Sequence, residues 1–356
     1  MKIEVYRGIF FGQLLYLALL HYNNSLRLPP FWGRPTRKKG RFMKAKTIVV
    51  ALGGNALIEE GTKGTIEEQF ANTRKSMAAI VGLIKEGHHV VLSHGNGPQA
   101  GVHLVRNEVG STNGAAPSPL NVIVADTQGS IGYMIQQSLH NALLKAGVKK
   151  DVVTVVTQVV VDKNDPSMKN PTKYVGLYFK EADLVACKEK GWVMKEDPGR
   201  GYRRVVASPI PVDVVEKETI HELLNSGKVV IAVGGGGVPV CREADGTLEG
   251  VDAVIDKDRA SALLASQIKA DELLILTGVD KVAINFKKPD MQVLDKMTVA
   301  EAEKHLADKQ FPAGSMGPKV EAAIDFIKLG GKLVIITSLE KAQAAVDGNE
   351  GTRVIP

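Results

Sequence analysis

The chain has 356 residues, 44% of them hydrophobic and 24% charged, with two cysteines and a formal net charge of +6. That length can bury a sizeable core, the ordinary apolar content excludes a disordered chain, and two cysteines without metal-ligand spacing exclude a disulfide framework and favour a reducing compartment. The excess charge is local: residues 1–42 hold eight Lys/Arg against one Asp/Glu, leaving 37 basic and 38 acidic residues elsewhere, so the basic surface that nucleic-acid binding needs is missing.

Residues 9–20 form an apolar run that imitates a signal peptide but is too short to span a bilayer, and no small-x-small cleavage site follows. Residues 23–42 are rich in Pro, Arg and Lys and have no packing period. Residues 1–42 therefore read as a non-core extension, disordered or the product of an upstream start, with the folded protein beginning at Met43; secretion is the minority reading.

The stretch TIVVALGGNA (47–56) runs an apolar strand straight into Gly53-Gly54-Asn55, as a buried parallel strand does when its loop must let backbone approach a ligand. Ile66, Phe70, Thr73, Met77, Ile80 and Ile84 then predict a one-faced helix closed by Gly87. A strand at 89–93 ends in the loop HGNGPQAG (94–101), followed by helices from about Pro98 and over 127–144. Residues 151–161, DVVTVVTQVVV, read as one β-branched strand.

Residues 162–204 break the rhythm, being charged and turn-rich with no long apolar run, and predict an excursion or lid standing off the sheet. A helix is expected over 214–225, then the strand VVIAV entering Gly234-Gly235-Gly236-Gly237, a hairpin around Asp245-Gly246, and a change from strand to helix near Lys257. The chain is expected to close with a strand at 272–277, helices near 299–306 and 318–329, a strand at 332–337 and a short helix. Three strand-to-glycine loops in two βα-alternating halves predict one continuous, mostly parallel sheet in a three-layer α/β/α sandwich, with an anion-lined pocket on its carboxyl edge.

The usual phosphate and dinucleotide signatures fail. Gly82 and Gly87 are followed by His88 rather than Lys, so there is no P-loop. Gly95-x-Gly97-x3-Gly101 has no acidic residue about 20 positions on to hold a ribose, which makes an oxidoreductase a weaker second reading. Lysines are more informative. Lys319 stands in the first turn of a helix, where the backbone already presents a positive end; a bound anion would resolve that conflict, and a solvated surface lysine remains the equal alternative. In Asp256-Lys257-Asp258 a helix cap explains one aspartate only, so Lys257 is read as meeting phosphate and Asp258 as holding lysines in place. Cys241, four residues past Gly237, is a position that a thiol-reactive compound could reach to block the pocket, although a buried inert cysteine is the commoner case.

Taken together, ALGGNAL (51–57), SHGNGPQAG (93–101), AVGGGGVPV (232–240), VIDKDRASALLA (254–265), LTGVDKVAINF (276–286) and GSMGPKVEAA (314–323) resemble the carbamate kinases, a branch of the amino-acid kinase family, from about residue 45 to the end. The resemblance implies a single amino-acid kinase domain over 43–356: a carbamoyl-side N-terminal half, a protruding subdomain over about 162–204 and a nucleotide-binding half over about 205–356. It implies phosphoryl exchange between ATP and carbamate with Mg2+, giving ADP and carbamoyl phosphate, in a cytoplasmic homodimer making ATP at the end of arginine breakdown, without nucleic-acid or membrane partners.

By the same resemblance Gly53, Gly54, Asn55, His94, Gly95, Asn96, Gly97, Gly234, Gly235 and Gly236 border the carbamoyl end, and Thr277, Gly278, Val279, Asp280 and Met316 border the nucleotide. Lys257 and Lys319 meet its phosphates, Asp258 orients them, and Lys173 comes from the subdomain; no metal ligand is assigned. Lys173 stands in Lys173-Tyr174-Val175-Gly176-Leu177, a departure from the Pro-rich context that the family has there. Another amino-acid kinase, such as one acting on acetylglutamate, is the alternative enzyme; a non-catalytic nucleotide sensor would have no need of Lys257, Asp258 and Lys319.

Overall fold

Five buried residues, Ile48 to Leu52, organise the chain. They form strand β1 (Thr47–Leu52) and are wholly shielded from solvent, which requires hydrogen-bonded neighbours on both sides and cover on both faces. The computed structural model describes residues 44–58, 62–197, 201–312 and 314–356; the extension expected at 1–42 lies outside them. Residues Ala45–Pro356 form one compact unit.

The main sheet has eight strands: β1, β2 (His89–His94), β3 (Val152–Thr154), β4 (Val229–Ile231), β5 (Glu272–Thr277), β6 (Lys296–Thr298), β7 (Val334–Ser338) and β8 (Thr352–Ile355). Their order is β6-β8-β7-β5-β1-β2-β4-β3, and every neighbouring pair is parallel except β7 with β8. Alternate residues feed two separate cores. Ile48, Val50, Leu92 and Ile231 pack against helices α1 (Ile66–Lys85) and α3 (Leu120–Lys145) on one face. Val49, Ala51, Val230 and Leu273 pack against α4 (Lys257–Gln267) and α5 (Met316–Lys328) on the other. This is the expected three-layer sandwich. Helix α2 (Gly97–Thr112) leads off the β2 loop.

Local chemistry explains the boundaries. Thr65 and Glu68 form a reciprocal cap that starts α1. Along the predicted stripe Thr73, Met77, Ile80 and Ile84 are buried, but Ile66 is exposed because the first turn precedes contact with the sheet. Residues 151–161 are not one strand. After β3 the chain leaves the sheet at Thr157, whose amide donates to the Gln128 side chain at 2.7 Å and whose carbonyl accepts both from that side chain at 3.0 Å and from the Val238 amide at 2.8 Å. It then enters a second sheet ordered Leu248–Gly250, Val238–Arg242, Gln158–Val161, Pro211–Val214, so the single continuous sheet of the sequence reading is divided, and the main sheet is one of four among the described residues. Pro211–Val214 takes the start of the expected 214–225 helix, which begins at Lys217. The hairpin at Asp245-Gly246 is present, and the closing helix is followed by β8.

The excursion contains a three-stranded antiparallel sheet, Lys173–Phe179, Gly201–Val206 and Val193–Asp197 in that order. It buries Val175, Val205 and Val206, and cation–aromatic contacts add to them: the Arg203 guanidinium lies 4.9 Å from the ring of Tyr178 and 5.7 Å from that of Tyr174. It rests on α2 through two glycines, with a Cβ at Gly101 falling 3.7 Å from the Cα of Gly176.

Candidate active site

Because β5, β1, β2 and β4 are adjacent and parallel, the loops after them line up on one carboxyl edge, where open α/β sheets bind ligands. A cleft of about 720 Å3 opens there, lined by Gly53, Gly54, Lys257, Thr277, Gly278, Gly314, Ser315 and Lys319, and by Lys75, Asn72 and Ser76 from α1 across the edge. Asn55 lies in the short turn Gly54–Ala56 beside it.

Two helices begin at this cleft. Asp258 near the start of α4 meets Lys319 near the start of α5, and Ser266 near the end of α4 donates to the Leu329 carbonyl at 3.2 Å, so the helices lie parallel with both positive ends together. Adding a lysine to each start is unfavourable unless negative charge compensates. Asp258, almost fully buried, accepts from Lys257 with one oxygen and from Lys319 at 3.3 Å with the other. Lys319 also donates to the Ser315 carbonyl at 3.1 Å. The conflict seen in the sequence around Lys319 is therefore met first by a carboxylate of the protein.

The other aspartate is the cap. Asp256 accepts from the amides of Asp258 at 2.9 Å and Arg259 at 3.5 Å, and its second oxygen receives Lys173 at 2.9 Å. Burial opposes its ionisation, but the charge and hydrogen bond of Lys173, with Lys257 and the Asp258 amide adding to them, hold its pKa down at about 2. The excursion thus delivers Lys173 to the segment that carries Lys257 and Asp258. Three lysines share two carboxylates here, which leaves a net positive corner backed by two helix ends, suited to a polyanion.

The glycine side is different. His94 is buried, its Nδ1–H donating to the Gly95 carbonyl at 2.9 Å, and burial, countered by that hydrogen bond and reinforced by Lys257, lowers its pKa to about 4, so it is a neutral imidazole. Asn96 donates to Thr127 Oγ1 at 2.9 Å. A Cβ on Gly234 would strike His94, one on Gly235 would strike Asn96 and one on Gly236 would strike the Ile255 carbonyl; Gly235 and Gly236 also hold φ of +66° and +95°. Gly234, Gly235 and Gly236 are buried. These glycines are dictated by close packing of protein on protein, whereas Gly54 and Gly97 have open space beside them.

Val279, Asp280 and Met316 flank the cleft without being among its lining residues, and Asp280 gives its carbonyl to Thr337 at 3.0 Å. Cys241 is buried in the second sheet, where burial and then Glu243 raise its pKa, and it does not line the cleft. Among the described residues no group of three or more His, Cys, Asp or Glu could hold a metal ion. With the carboxylates of Asp256 and Asp258 engaged by lysines, the donors this site offers Mg2+ are Glu340 of the cleft lining and whatever phosphate oxygens and water enter with the ligand.

Asn72, Lys75, Ser76, Ser338, Leu339 and Glu340 also line the cleft and were missed in the sequence. The first three are spaced i, i+3, i+4 on α1, a pattern that passes for a solvated face. The last three close β7 at the same sheet edge, but without the glycines that marked the other loops.

A cleft on the carboxyl edge of a mostly parallel sheet, with lysines clamped at paired helix starts, defines a phosphoryl-transfer enzyme. Residues 46–338 match the profile of the Amino acid kinase family, and the chain belongs to that family. Within it, the carbamate kinases of Pyrococcus horikoshii and Clostridium perfringens are 51% and 49% identical over 87% and 86% of this chain and 99% of each of those proteins. The solved structure of carbamate kinase from Giardia lamblia bound to AMP-PNP superposes with a TM-score of 0.82 at 42% identity, covering 87% of this chain and 98% of that one.

Proposed function

We propose that the chain transfers a phosphoryl group reversibly between ATP and carbamate, forming ADP and carbamoyl phosphate, and that it works toward ATP at the end of arginine breakdown as a cytoplasmic homodimer. The observation that carries this reading is Asp258 holding Lys257 and Lys319 together at two parallel helix starts beside Gly53 and Gly54. Toward ATP, an oxygen of the ADP β-phosphate attacks the phosphorus of carbamoyl phosphate, the bond from phosphorus to the acyl oxygen breaks, and carbamate leaves with the electron pair. Nucleophile and leaving group are both oxyanions, so no general base is needed. That agrees with a neutral His94 and with two aspartates already engaged by lysines.

The barrier is repulsion between anions, which positioned cations reduce. Lys257 and Lys319 meet the nucleotide phosphates, with Thr277, Gly278, Val279, Asp280 and Met316 bordering the nucleotide. Gly53, Gly54, Asn55 and the loop His94, Gly95, Asn96 and Gly97 border the carbamoyl end, and Gly234, Gly235 and Gly236 wall it. Lys173 covers the transferred group as the 162–204 subdomain excludes water. Mg2+, when bound, would supply further positive charge beside the phosphates. In this arrangement 43–356 is one domain, with a carbamoyl-side half, the subdomain and a nucleotide half after 205. Among the described residues no helix is long and apolar enough to cross a membrane.

The glycine turn after β4 is filled by protein atoms, which favours a small acceptor over an acylated amino acid. The test is a coupled assay of ATP formed from ADP with carbamoyl phosphate or with acetylglutamyl phosphate. The proposal expects rapid ATP formation from the first; turnover of the second alone, or of neither, overturns it.

A further inference from the structure

The two helices that carry the cleft lysines are joined a second time. One residue past Asp258, Arg259 donates through its guanidinium to Glu321, two residues past Lys319, at 2.7 Å. The bridges are reciprocal: α4 gives an acid to a lysine of α5, and α5 gives an acid to an arginine of α4. Together with the Ser266 bond to the Leu329 carbonyl at the far ends, two fixed points at the starts limit both sliding and rotation of one start against the other, and the starts themselves are held by these two alone among the described side-chain bonds. Asp325, one turn beyond Glu321, faces the same guanidinium; burial raises its pKa, and Arg259 acts against that rise.

We infer that Arg259 and Glu321 are positioning residues that set the separation of Lys257 and Lys319, acting through the helix starts without touching substrate. The inference rests on the proposed phosphoryl transfer. Side chains of Arg259 and Glu321 are 28% and 40% exposed, so the pair adds little to global stability, and its loss should be felt in geometry rather than in folding.

The experiment is a double-mutant cycle in the full chain with Arg259→Met, Glu321→Met and both together, beside Arg259→Lys. Readouts are kcat, the KM for ADP, the affinity for AMP-PNP by calorimetry, and the melting temperature. Each single change is expected to lower kcat about tenfold and to weaken AMP-PNP about threefold, because displacements of an ångström or less at a phosphoryl-transfer site act mainly on the transition state. The double variant should be no worse than either single one, Arg259→Lys should keep most of the activity, and melting temperatures should stay within about 3 °C of the parent. Unchanged kcat in the single variants, or losses that multiply in the double variant, overturns the inference. If the parent binds AMP-PNP but makes no ATP from carbamoyl phosphate, the proposed function falls instead, and the cycle is judged on AMP-PNP affinity: a shared threefold loss supports the clamp and unchanged affinity overturns it.

Discussion

The carboxyl edge of the sheet has two ends that solve different problems with different materials, the charged one lining the cleft through Lys257 and Lys319 and the packed one, with His94, Asn96 and Gly234 to Gly236, lying outside its lining. After β2 and β4 the chain uses backbone: His94, Asn96 and the buried glycines interlock so closely that Gly234, Gly235 and Gly236 have no space for a methyl group, and the one titratable group there is uncharged. At the starts of α4 and α5 it uses charge: Lys173, Lys257 and Lys319 shared between Asp256 and Asp258, with long side chains partly in solvent. A small acceptor calls for shape, which only rigid packing supplies. A moving phosphoryl group calls for cations that can follow it, and those must be tethered rather than buried.

Breaking the charged end should cost the most activity. Lys319→Ala and Lys257→Ala are each expected to lower kcat by about 10²–10³, the loss typical of removing one preorganised contact to developing charge, while urea denaturation midpoints stay near that of the parent. Normal steady-state turnover in Lys319→Ala would erase the distinction between the two ends.

The packed end should fail by unfolding. Gly236→Ala puts a methyl group against the Ile255 carbonyl at a φ of +95°, and backbone cannot yield as a side chain can. A destabilisation of about 2–4 kcal/mol is expected in chemical denaturation; a stability equal to the parent's would show that the turn is not tightly packed.

Lys173→Ala separates the excursion from both ends. It should lower kcat about tenfold and leave ADP affinity within twofold, since the proposed arrangement gives the nucleotide to residues after Thr277. Limited proteolysis within 162–204 should slow when ADP and carbamoyl phosphate are present. Cleavage indifferent to ligands, with parental turnover in Lys173→Ala, would make the excursion a surface insertion.

The effect spread over the widest range of conditions is on pH dependence, and it touches stability rather than turnover. His94 has a folded pKa of about 4 against an ordinary 6.5, so the unfolded chain binds the extra proton between those values. Its contribution is fully present above pH 6.5 and is lost as pH falls toward 4, by of order 3 kcal/mol over the full passage. His88, also depressed by burial, acts in the same direction. His94→Asn should flatten the dependence of denaturation midpoint on pH between 6.5 and 5; an unchanged slope would mean that His94 titrates normally.

The sequence reading reached the charged end further than the packed one, for a physical reason. Lys257 and Lys319 break local rules, a cation at a positive helix end, and a broken rule stands out in a sequence. Asp258 reads there as the holder of the lysines although either aspartate can cap a helix, and the pairing of α4 with α5 gives the cap to Asp256. Glycines after β2 and β4 were visible as glycines, but whether they face ligand or protein depends on neighbours far away in the chain, such as Ile255 and Val159. Lys75 and Glu340 were missed because ordinary polar residues on a helix and after a strand break no rule. The division of residues 151–161 between two sheets rests on Gln128, which no local pattern could indicate.

The most direct test of the tethered-lysine account is Asp258→Asn, with kcat and ADP affinity measured on the same preparation. Asparagine keeps the size of the side chain but replaces one acceptor with a donor, so it cannot hold Lys257 and Lys319 at once. The account predicts a fall in kcat of at least tenfold, with ADP affinity changed by less than about threefold, because orientation of the lysines matters more to the transition state than to binding. A kcat equal to the parent's, or a loss confined to ADP affinity, would contradict it.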